Sequence, residues 1–246
     1  MTLAAENIVI SRQGILALEN VSTFIEQGKV TAICGPNGAG KSTLLMALAG
    51  LIAPLAGRVT ISQAPLTSLK PKERAQIIGY LPQDPEIAWD VAVENLVRLG
   101  RMPYGDRGDN AVEAAILALG LDELRARPAS RLSGGEKARA LLARVFAGEP
   151  QWILADEPLA ALDLGHQRTL LGYFRSAASM GTGVAIVVHD LSTAMNFADH
   201  VIVLREGQLL SEGTPQEALT PEIIAEGWKV QSRWIGEPGA WALIAD

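Results

Sequence analysis

The sequence predicts an α/β protein with a mostly parallel sheet and a helical insert. Short apolar runs, typical of buried strands, alternate with stretches of helical periodicity, which is the pattern of a parallel sheet covered by helices on both faces. From about residue 92 to residue 147 the pattern is mostly helical and interrupts this alternation. We therefore expect a single domain over residues 1–246, in which a core of 1–91 and 148–246 is split by a helical insert at about 92–147.

The first elements expected along the chain are strands. Residues 3–10 and 15–25 alternate partly between apolar and polar side chains and flank Gln13-Gly14, a turn signal. Val30–Cys34 is a short apolar run that predicts a buried strand, and leucines at helical spacing predict a helix over 41–51. Outside the insert, the other expected elements are strands at 58–61, 77–81, 152–155, 184–188 and 200–204, helices at 165–180 and 191–198, and a hairpin at 228–246.

The composition argues against several classes of protein. A chain of 246 residues is long enough to bury a sizeable core, and its net charge of −6 argues against a general nucleic-acid binder, because phosphate backbones need a basic surface. Cys34 is the single cysteine and cannot form an internal disulfide, which suits a reducing compartment. The chain shows no signal-peptide pattern and no run of roughly 20 apolar residues, the length of a membrane helix. We therefore expect a soluble, cytoplasmic protein.

A glycine-rich loop after the strand at 30–34 matches the phosphate-binding pattern G-x-x-x-x-G-K-[ST]. Glycines let the main chain curl around phosphate oxygens, and the following helix offers its N-terminal N–H groups to the anion. We expect Lys41 to neutralise charge on the outer phosphates of ATP and Ser42 to bind Mg²⁺ through its hydroxyl. The residues expected to hold the nucleotide are Gly35, Pro36, Asn37, Gly38, Ala39, Gly40, Lys41, Ser42 and Thr43.

An apolar strand that ends in two carboxylates follows the insert. Asp156 and Glu157 come directly after the run Trp152–Ala155. On a nucleotide-binding sheet this order places Asp156 beside the metal and Glu157 where an attacking water lies. We expect Asp156 to bind Mg²⁺ and Glu157 to orient and polarise the water. The simpler interpretation is a strand that ends in two solvated acids, and the phosphate loop upstream argues against it.

A second glycine-rich turn, Leu132-Ser133-Gly134-Gly135-Glu136, precedes another helical stretch. It also offers free backbone N–H groups and a helix N-terminus to an anion. Ser133, Gly134 and Gly135 are therefore candidates for a second contact with the nucleotide.

Other polar residues stand near expected strand or helix ends. His189 follows a buried strand at the edge where α/β sheets bind ligands, and we interpret it as a sensor of the γ-phosphate. In isolation, a histidine at a strand end is more often structural. Gln83 follows the strand at 77–81 and by itself reads as a polar loop residue. Asp163 is a candidate site residue or, equally, a helix N-cap.

In this order the motifs resemble those of the ATP-binding subunits of ABC transporters, over nearly the whole chain. The resemblance implies a P-loop NTPase core with an N-terminal antiparallel β subdomain and a helical insert. It also implies that Gln83 contributes to Mg²⁺ binding and to catalysis. The phosphate loop is similar to the Walker A motif of that family, and the turn at 132–136 is similar to its signature. The Walker B motif and its catalytic carboxylate correspond to Asp156 and Glu157. The Q-loop, D-loop and switch histidine correspond to Gln83, Asp163 and His189.

The resemblance further implies a homodimer of two copies packed head to tail. Each ATP would lie between the phosphate loop of one subunit and Ser133, Gly134 and Gly135 of the other, and Asp163 belongs to the same set of nucleotide contacts. The other implied partners are two integral membrane permease subunits and, indirectly, an extracytoplasmic substrate-binding protein. The chain would then lie on the cytoplasmic face of the inner membrane.

Shorter segments narrow the implied type of transporter. Residues 97–104, 164–167 and 213–215 look like importer subunits for iron–siderophore complexes, haem or cobalamin. The position at which the family stacks an aromatic ring on adenine is Arg12, whose guanidinium plane is also able to stack. The apolar side chains of residues 84–104, among them Trp89 and Tyr104, favour this stretch as the surface that contacts the permeases.

Two other functions fit part of these motifs. A soluble, non-transport ATPase of the same fold, acting in repair, translation or cofactor assembly, usually carries a coiled-coil insert or a duplicated ATPase unit, and this chain has neither. A regulatory nucleotide-binding module does not turn over ATP, and Glu157 and His189 argue against it. The sequence therefore favours the ATP-hydrolysing, energy-coupling subunit of an importer.

Overall fold

The computed structural model describes residues 1–83, 90–160 and 162–245 of the chain, and within them the strands form three sheets. The strands are β1 (Thr2–Arg12), β2 (Ile15–Glu26), β3 (Val30–Cys34), β4 (Ala56–Ile61), β5 (Ala64–Pro65), β6 (Ile78–Leu81), β7 (Trp152–Ala155), β8 (Gly183–Val187), β9 (His200–Arg205), β10 (Gln208–Gly213), β11 (Ser232–Ile235) and β12 (Ala242–Ala245).

Helices surround and connect these sheets, and α3, α4 and α5 lie between β6 and β7 in the chain. The α-helices are α1 (Lys41–Leu48), α2 (Pro71–Ile77), α3 (Val93–Arg98), α4 (Asp109–Ala118), α5 (Gly134–Ala147), α6 (Leu164–Ser179), α7 (Leu191–Phe197), α8 (Pro215–Ala218) and α9 (Pro221–Trp228).

The central sheet has the strand order β10-β9-β3-β8-β7-β6 in the described part of the chain. The strands from β9 to β6 run parallel, and β10 pairs antiparallel with β9. Strands β3, β7 and β8 are buried along their whole length, because both faces of the sheet are covered. Their side chains alternate between two cores: Val30 and Ala32 belong to one and Ile33 to the other. The predicted α/β class is confirmed.

A four-stranded antiparallel sheet, β2-β1-β4-β5, packs against one side of this core. Leu3 and Leu18 from its strands share a buried cluster with Leu44 and Leu48 of α1. Helix α1, and therefore the loop before it, is held between the two sheets. The predicted N-terminal β subdomain is thus the element that supports the phosphate loop from outside.

The structure corrects the end of one predicted helix and confirms the predicted hairpin. Helix α1 ends at Leu48 and not at residue 51, because Gly50 adopts a left-handed conformation with φ of 65°. The predicted hairpin is confirmed as β11 and β12, and its turn is closed by a bond from the Ala240 amide to the Glu237 carbonyl oxygen. Among the residues that the structure describes, no helix combines the length and the apolar character that a membrane span requires.

Candidate functional site

The loop between β3 and α1 forms one wall of a cavity of about 610 Å³ at the carboxyl edge of the central sheet. Gly40 has a φ of 100°, and a Cβ at this position would lie 2.6 Å from the carbonyl oxygen of Ala17. Glycine therefore lets β2 pack directly against the loop. The described residues that line the cavity are Ala17, Asn37, Gly38, Ala39, Gly40, Lys41, Ser42, Thr43, Gln83, Glu157 and His189.

Lys41, the first residue of α1, is almost completely buried beneath the loop. Its ammonium donates to the carbonyl oxygens of Gly35 and Pro36, at 2.8 and 3.0 Å. Burial lowers the pKa of Lys41, and the negative charges of Glu157 and Asp156 act in the opposite direction. An ammonium has three donors, so the loop leaves one of them for an anion in the cavity.

Ser42, which lines the cavity, forms an oxygen pair with Asp156, which is buried behind it. The Ser42 hydroxyl donates to Oδ1 of Asp156 at 3.0 Å, and the Asp156 amide donates to the carbonyl oxygen of Leu81, at the end of the neighbouring strand β6. Asp156 is 3% exposed, and this burial raises the pKa of its carboxyl group. A buried carboxylate beside a hydroxyl matches the oxygen ligands that Mg²⁺ prefers, with phosphate oxygens and water completing its shell. The residues present therefore fit a divalent cation.

The Glu157 carboxylate joins the ends of three neighbouring strands. Oε2 accepts a hydrogen bond from Nε2 of Gln83 at 2.7 Å, and Oε1 lies 2.7 Å from Nε2 of His189. Gln83, Glu157 and His189 follow β6, β7 and β8, whose carboxyl ends meet at one edge of the sheet. Glu157 also has a φ of 48°, an uncommon backbone conformation for a residue with a side chain. The carboxylate is thus fixed at the edge of the cavity.

Asp190 fixes the backbone immediately after His189, a role that the sequence analysis missed. Its carboxylate accepts hydrogen bonds from the amides of Ser192 and Thr193, at 3.1 and 2.9 Å, and caps α7. The signal was present in the sequence as an acidic residue directly before a helical stretch. Because the cap holds the start of α7, it limits the positions that the His189 side chain can reach.

The signature residues lie apart from this cavity. Ser133 caps α5 by accepting from the Glu136 amide at 3.3 Å, and the Glu136 carboxylate accepts from the Ser133 amide at 2.8 Å, which forms a capping box. Asp163 caps α6 in a similar way and accepts from the His166 amide at 2.9 Å. Neither Ser133, Gly134, Gly135 nor Asp163 is among the described residues that line the phosphate cavity. The structure therefore divides the predicted nucleotide contacts into two groups.

Arg12 lies outside the cavity, and Tyr104 is partly enclosed by the protein. Arg12 is exposed at the end of β1 and is absent from the described lining of the cavity, where Ala17 lies instead. Tyr104 is half-buried, and its hydroxyl donates to the carbonyl oxygen of Gly148 at 2.6 Å, so it anchors the segment after α3 to the residue that follows α5. Trp89 lies in residues 84–89, outside the described part of the chain.

Cys34, the last residue of β3, is expected to resist alkylation in the folded protein. Burial raises the pKa of its thiol to about 12. At pH 8 the thiolate fraction then falls by about three orders of magnitude relative to a thiol with the ordinary pKa of about 8.5. We expect iodoacetamide to label Cys34 at least about 1000-fold more slowly than in guanidinium chloride, as measured by intact-protein mass spectrometry. Rapid labelling of the folded chain would contradict its placement in the core.

Known proteins with similar sequences indicate the family of this chain. The sequence profile described as "ABC transporter" matches residues 18–160, more than half of the chain. The hemin import ATP-binding protein HmuV of Nocardia farcinica is 39% identical over 234 residues, which cover 91% of this chain and 81% of the relative. HmuV of Thermobifida fusca is 38% identical over 243 residues, which cover 97% and 86%.

A solved structure shares the whole fold. A metal-chelate type ABC transporter in an inward-facing conformation superposes with a TM-score of 0.83 at 25% identity, covering 100% of this chain and 96% of that chain.

Proposed function

Because this chain belongs to the family of ABC transporter ATP-binding proteins, we propose that it hydrolyses ATP to drive the import of haem through membrane-embedded permease subunits. The observation that carries the hydrolytic part is the Glu157 carboxylate, which is held by Gln83 and His189 at the edge of the phosphate cavity. A module that only binds nucleotide has no need of an acceptor fixed at this place.

The proposed reaction is the attack of water on the γ-phosphorus of ATP, which breaks the bond to the oxygen that bridges to the β-phosphate and releases ADP and inorganic phosphate. Ser42 and Asp156 would hold Mg²⁺, which neutralises charge on the phosphate oxygens when bound. Gln83 is able to join them through its carbonyl oxygen, because its amide nitrogen already donates to Glu157. The free donor of Lys41 and the amides of the loop bind the outer phosphates.

Glu157 would orient the attacking water, and the side chain of His189 would contact the γ-phosphate. A carboxylate that accepts two strong hydrogen bonds keeps its orientation, which favours one position for the attacking oxygen. His189 Nε2 lies 2.7 Å from Oε1 of Glu157, so we propose that its side chain moves toward the phosphate when ATP is present and leaves this oxygen for the water.

We propose that the second group of nucleotide contacts acts on the ATP of a partner copy. Ser133, Gly134, Gly135 and Asp163 lie outside the phosphate cavity of their own chain. In a head-to-tail homodimer, each signature turn would face the phosphate loop of the other copy. A solved ATP-binding cassette that is 28% identical and has a TM-score of 0.75 over 88% of this chain is described as dimeric with ADP and phosphate bound, which supports this arrangement. ATP favours the closed dimer because it contacts both halves only in that state.

Haem is the proposed cargo because the named relatives are hemin import proteins. The cargo itself would be bound by other chains: two integral permease subunits and an extracytoplasmic binding protein. This chain would associate with the cytoplasmic face of the membrane through the permeases. The helices between β6 and β7 would form a distinct insert within one domain of 246 residues. Arg12 would stack on adenine through the plane of its guanidinium group.

The proposed permease contact is an apolar groove beside the insert. It has a volume of about 330 Å³ and includes Leu99, Met102 and Arg144. Met102 is 72% exposed and Leu99 is 37% exposed, so the groove presents apolar surface that a partner could cover. The half-buried guanidinium of Arg144 would pair with an acidic residue of the permease.

Haem uptake tests this function directly. In the source organism, Lys41→Ala is expected to abolish growth on haem as the sole iron source while growth on inorganic iron continues, because the ammonium at the phosphates is lost. Lys72→Ala, on the exposed face of α2, is the matched control and should grow normally on both. Purified wild-type chain should hydrolyse ATP and the Lys41 variant should not. Normal growth of the Lys41 variant on haem would refute the cargo assignment.

A further inference from the structure

His166, in the first turn of α6, contacts two segments of the second nucleotide-contact group. Its Nδ1 lies 2.8 Å from Oδ2 of Asp163, while its amide donates to Oδ1 of the same carboxylate at 2.9 Å. Its ring also lies against the backbone of Gly135 in the signature turn. One side chain thus connects the start of α6 with the start of α5.

The two signature glycines have different surroundings. A Cβ at Gly135 would lie 2.6 Å from Nε2 of His166 and 2.7 Å from its Cγ, closer than real Cβ atoms approach. A Cβ at Gly134 would have no atom within 4 Å. Both residues lie in the first turn of α5, and neither has a positive φ. The ring of His166, and not the backbone conformation, therefore limits the space for a side chain at position 135.

The same turn of α6 also holds the loop that starts at Glu157. The side-chain amide of Gln167 donates to the carbonyl oxygens of Leu159 and Leu162, at 3.3 and 3.0 Å. The Ala160 amide in turn donates to the Glu157 carbonyl oxygen at 3.1 Å. His166 and Gln167 are neighbours in the chain, so one helical turn contacts both the signature and the loop after the proposed catalytic carboxylate.

We propose that His166 is a positioning residue. It fixes the position of a subunit's signature turn relative to the loop that starts at Glu157 of the same subunit. This inference rests on the proposed function, in which the signature turn serves the partner's ATP and Glu157 serves the subunit's own. The His166 ring then couples the two sites of the dimer, because a shift of the Glu157 loop moves α6 and its contact with Gly135.

Thermal unfolding without nucleotide tests the contact itself. Gly135→Ala is expected to lower Tm by about 3–10 °C, since a side chain there must displace the ring. In the His166→Ala background the same substitution should change Tm by less than about 2 °C. Gly134→Ala, at the same helical turn, is the matched control and should not lower Tm in either background. If Gly135→Ala lowers Tm equally in both backgrounds, the proposed contact is wrong.

Steady-state ATP hydrolysis tests the positioning role. His166→Ala is expected to lower kcat about tenfold while KM for ATP changes less than about twofold, because the phosphate loop is untouched. His166→Asn keeps a nitrogen that can pair with Asp163 but removes the ring from Gly135, and it should lower kcat to a similar extent. Full activity of either variant, or a raised KM with unchanged kcat, would overturn the positioning role. If the wild-type chain itself does not hydrolyse ATP, the proposed function fails, and the unfolding experiment still decides whether His166 holds Gly135.

Discussion

Glu157→Gln is expected to bind ATP and to hydrolyse it about 1000-fold more slowly than the wild-type chain. The amide has nearly the shape of the carboxylate but cannot accept a proton from water. The substitution should therefore slow the chemical step and leave ATP binding intact. Unhydrolysed ATP should then hold two copies together. We expect the variant to elute as a dimer with ATP and as a monomer with ADP in size-exclusion chromatography, and a phosphate-release assay gives the turnover rate.

The control for this variant is Glu123→Gln, which makes the same chemical change at an exposed position of the insert. It should hydrolyse ATP at the wild-type rate and show no ATP-dependent dimer that persists. A Glu157→Gln chain with more than about a tenth of the wild-type turnover would show that another group serves as the base. His189 would be the next candidate, because its Nε2 lies 2.7 Å from Oε1 of Glu157 at the edge of the same cavity.

The parts of the fold that could be predicted are those with an apolar pattern of their own. Strands β3 and β7 have the predicted bounds, since each is a fully buried run. Helix α2 was missed because none of its residues is buried, so it shows no apolar stripe. Strand β10 was missed for a related reason: it lies at the edge of the sheet and none of its residues is fully buried.

The candidate site was predictable as a list of residues but not as an arrangement. The phosphate loop and the Asp156-Glu157 pair are local patterns, and each is recognisable within a few residues. The contacts of Glu157 with Gln83 and His189 depend on the order of strands β6, β7 and β8, which no spacing along the chain encodes. The same limit applies to His166 and Gly135, which are distant in sequence and meet only because α5 and α6 start side by side.

Mixing two inactive variants is expected to restore ATP hydrolysis if each site is shared between copies. Lys41→Ala removes the ammonium of the phosphate loop. Ser133→Asp keeps a residue that caps helices well but adds a negative charge where the partner's γ-phosphate would lie, so α5 should remain folded. Each variant alone should have less than about 1% of the wild-type turnover, since each homodimer has two defective sites.

A mixed dimer contains one intact site, formed by the Lys41 of the Ser133→Asp chain and the Ser133 of the Lys41→Ala chain. Random pairing puts about half of the chains in mixed dimers, each with one of two sites working, so turnover should return to about a quarter of the wild-type value. The activity should rise with the second power of protein concentration below the dimerisation constant, because assembly requires two chains. A mixture as inactive as its components, together with wild-type turnover per chain that is independent of concentration, would mean that each chain holds a complete site. The separation of Ser133 from the phosphate cavity within one chain makes the shared site the expected result.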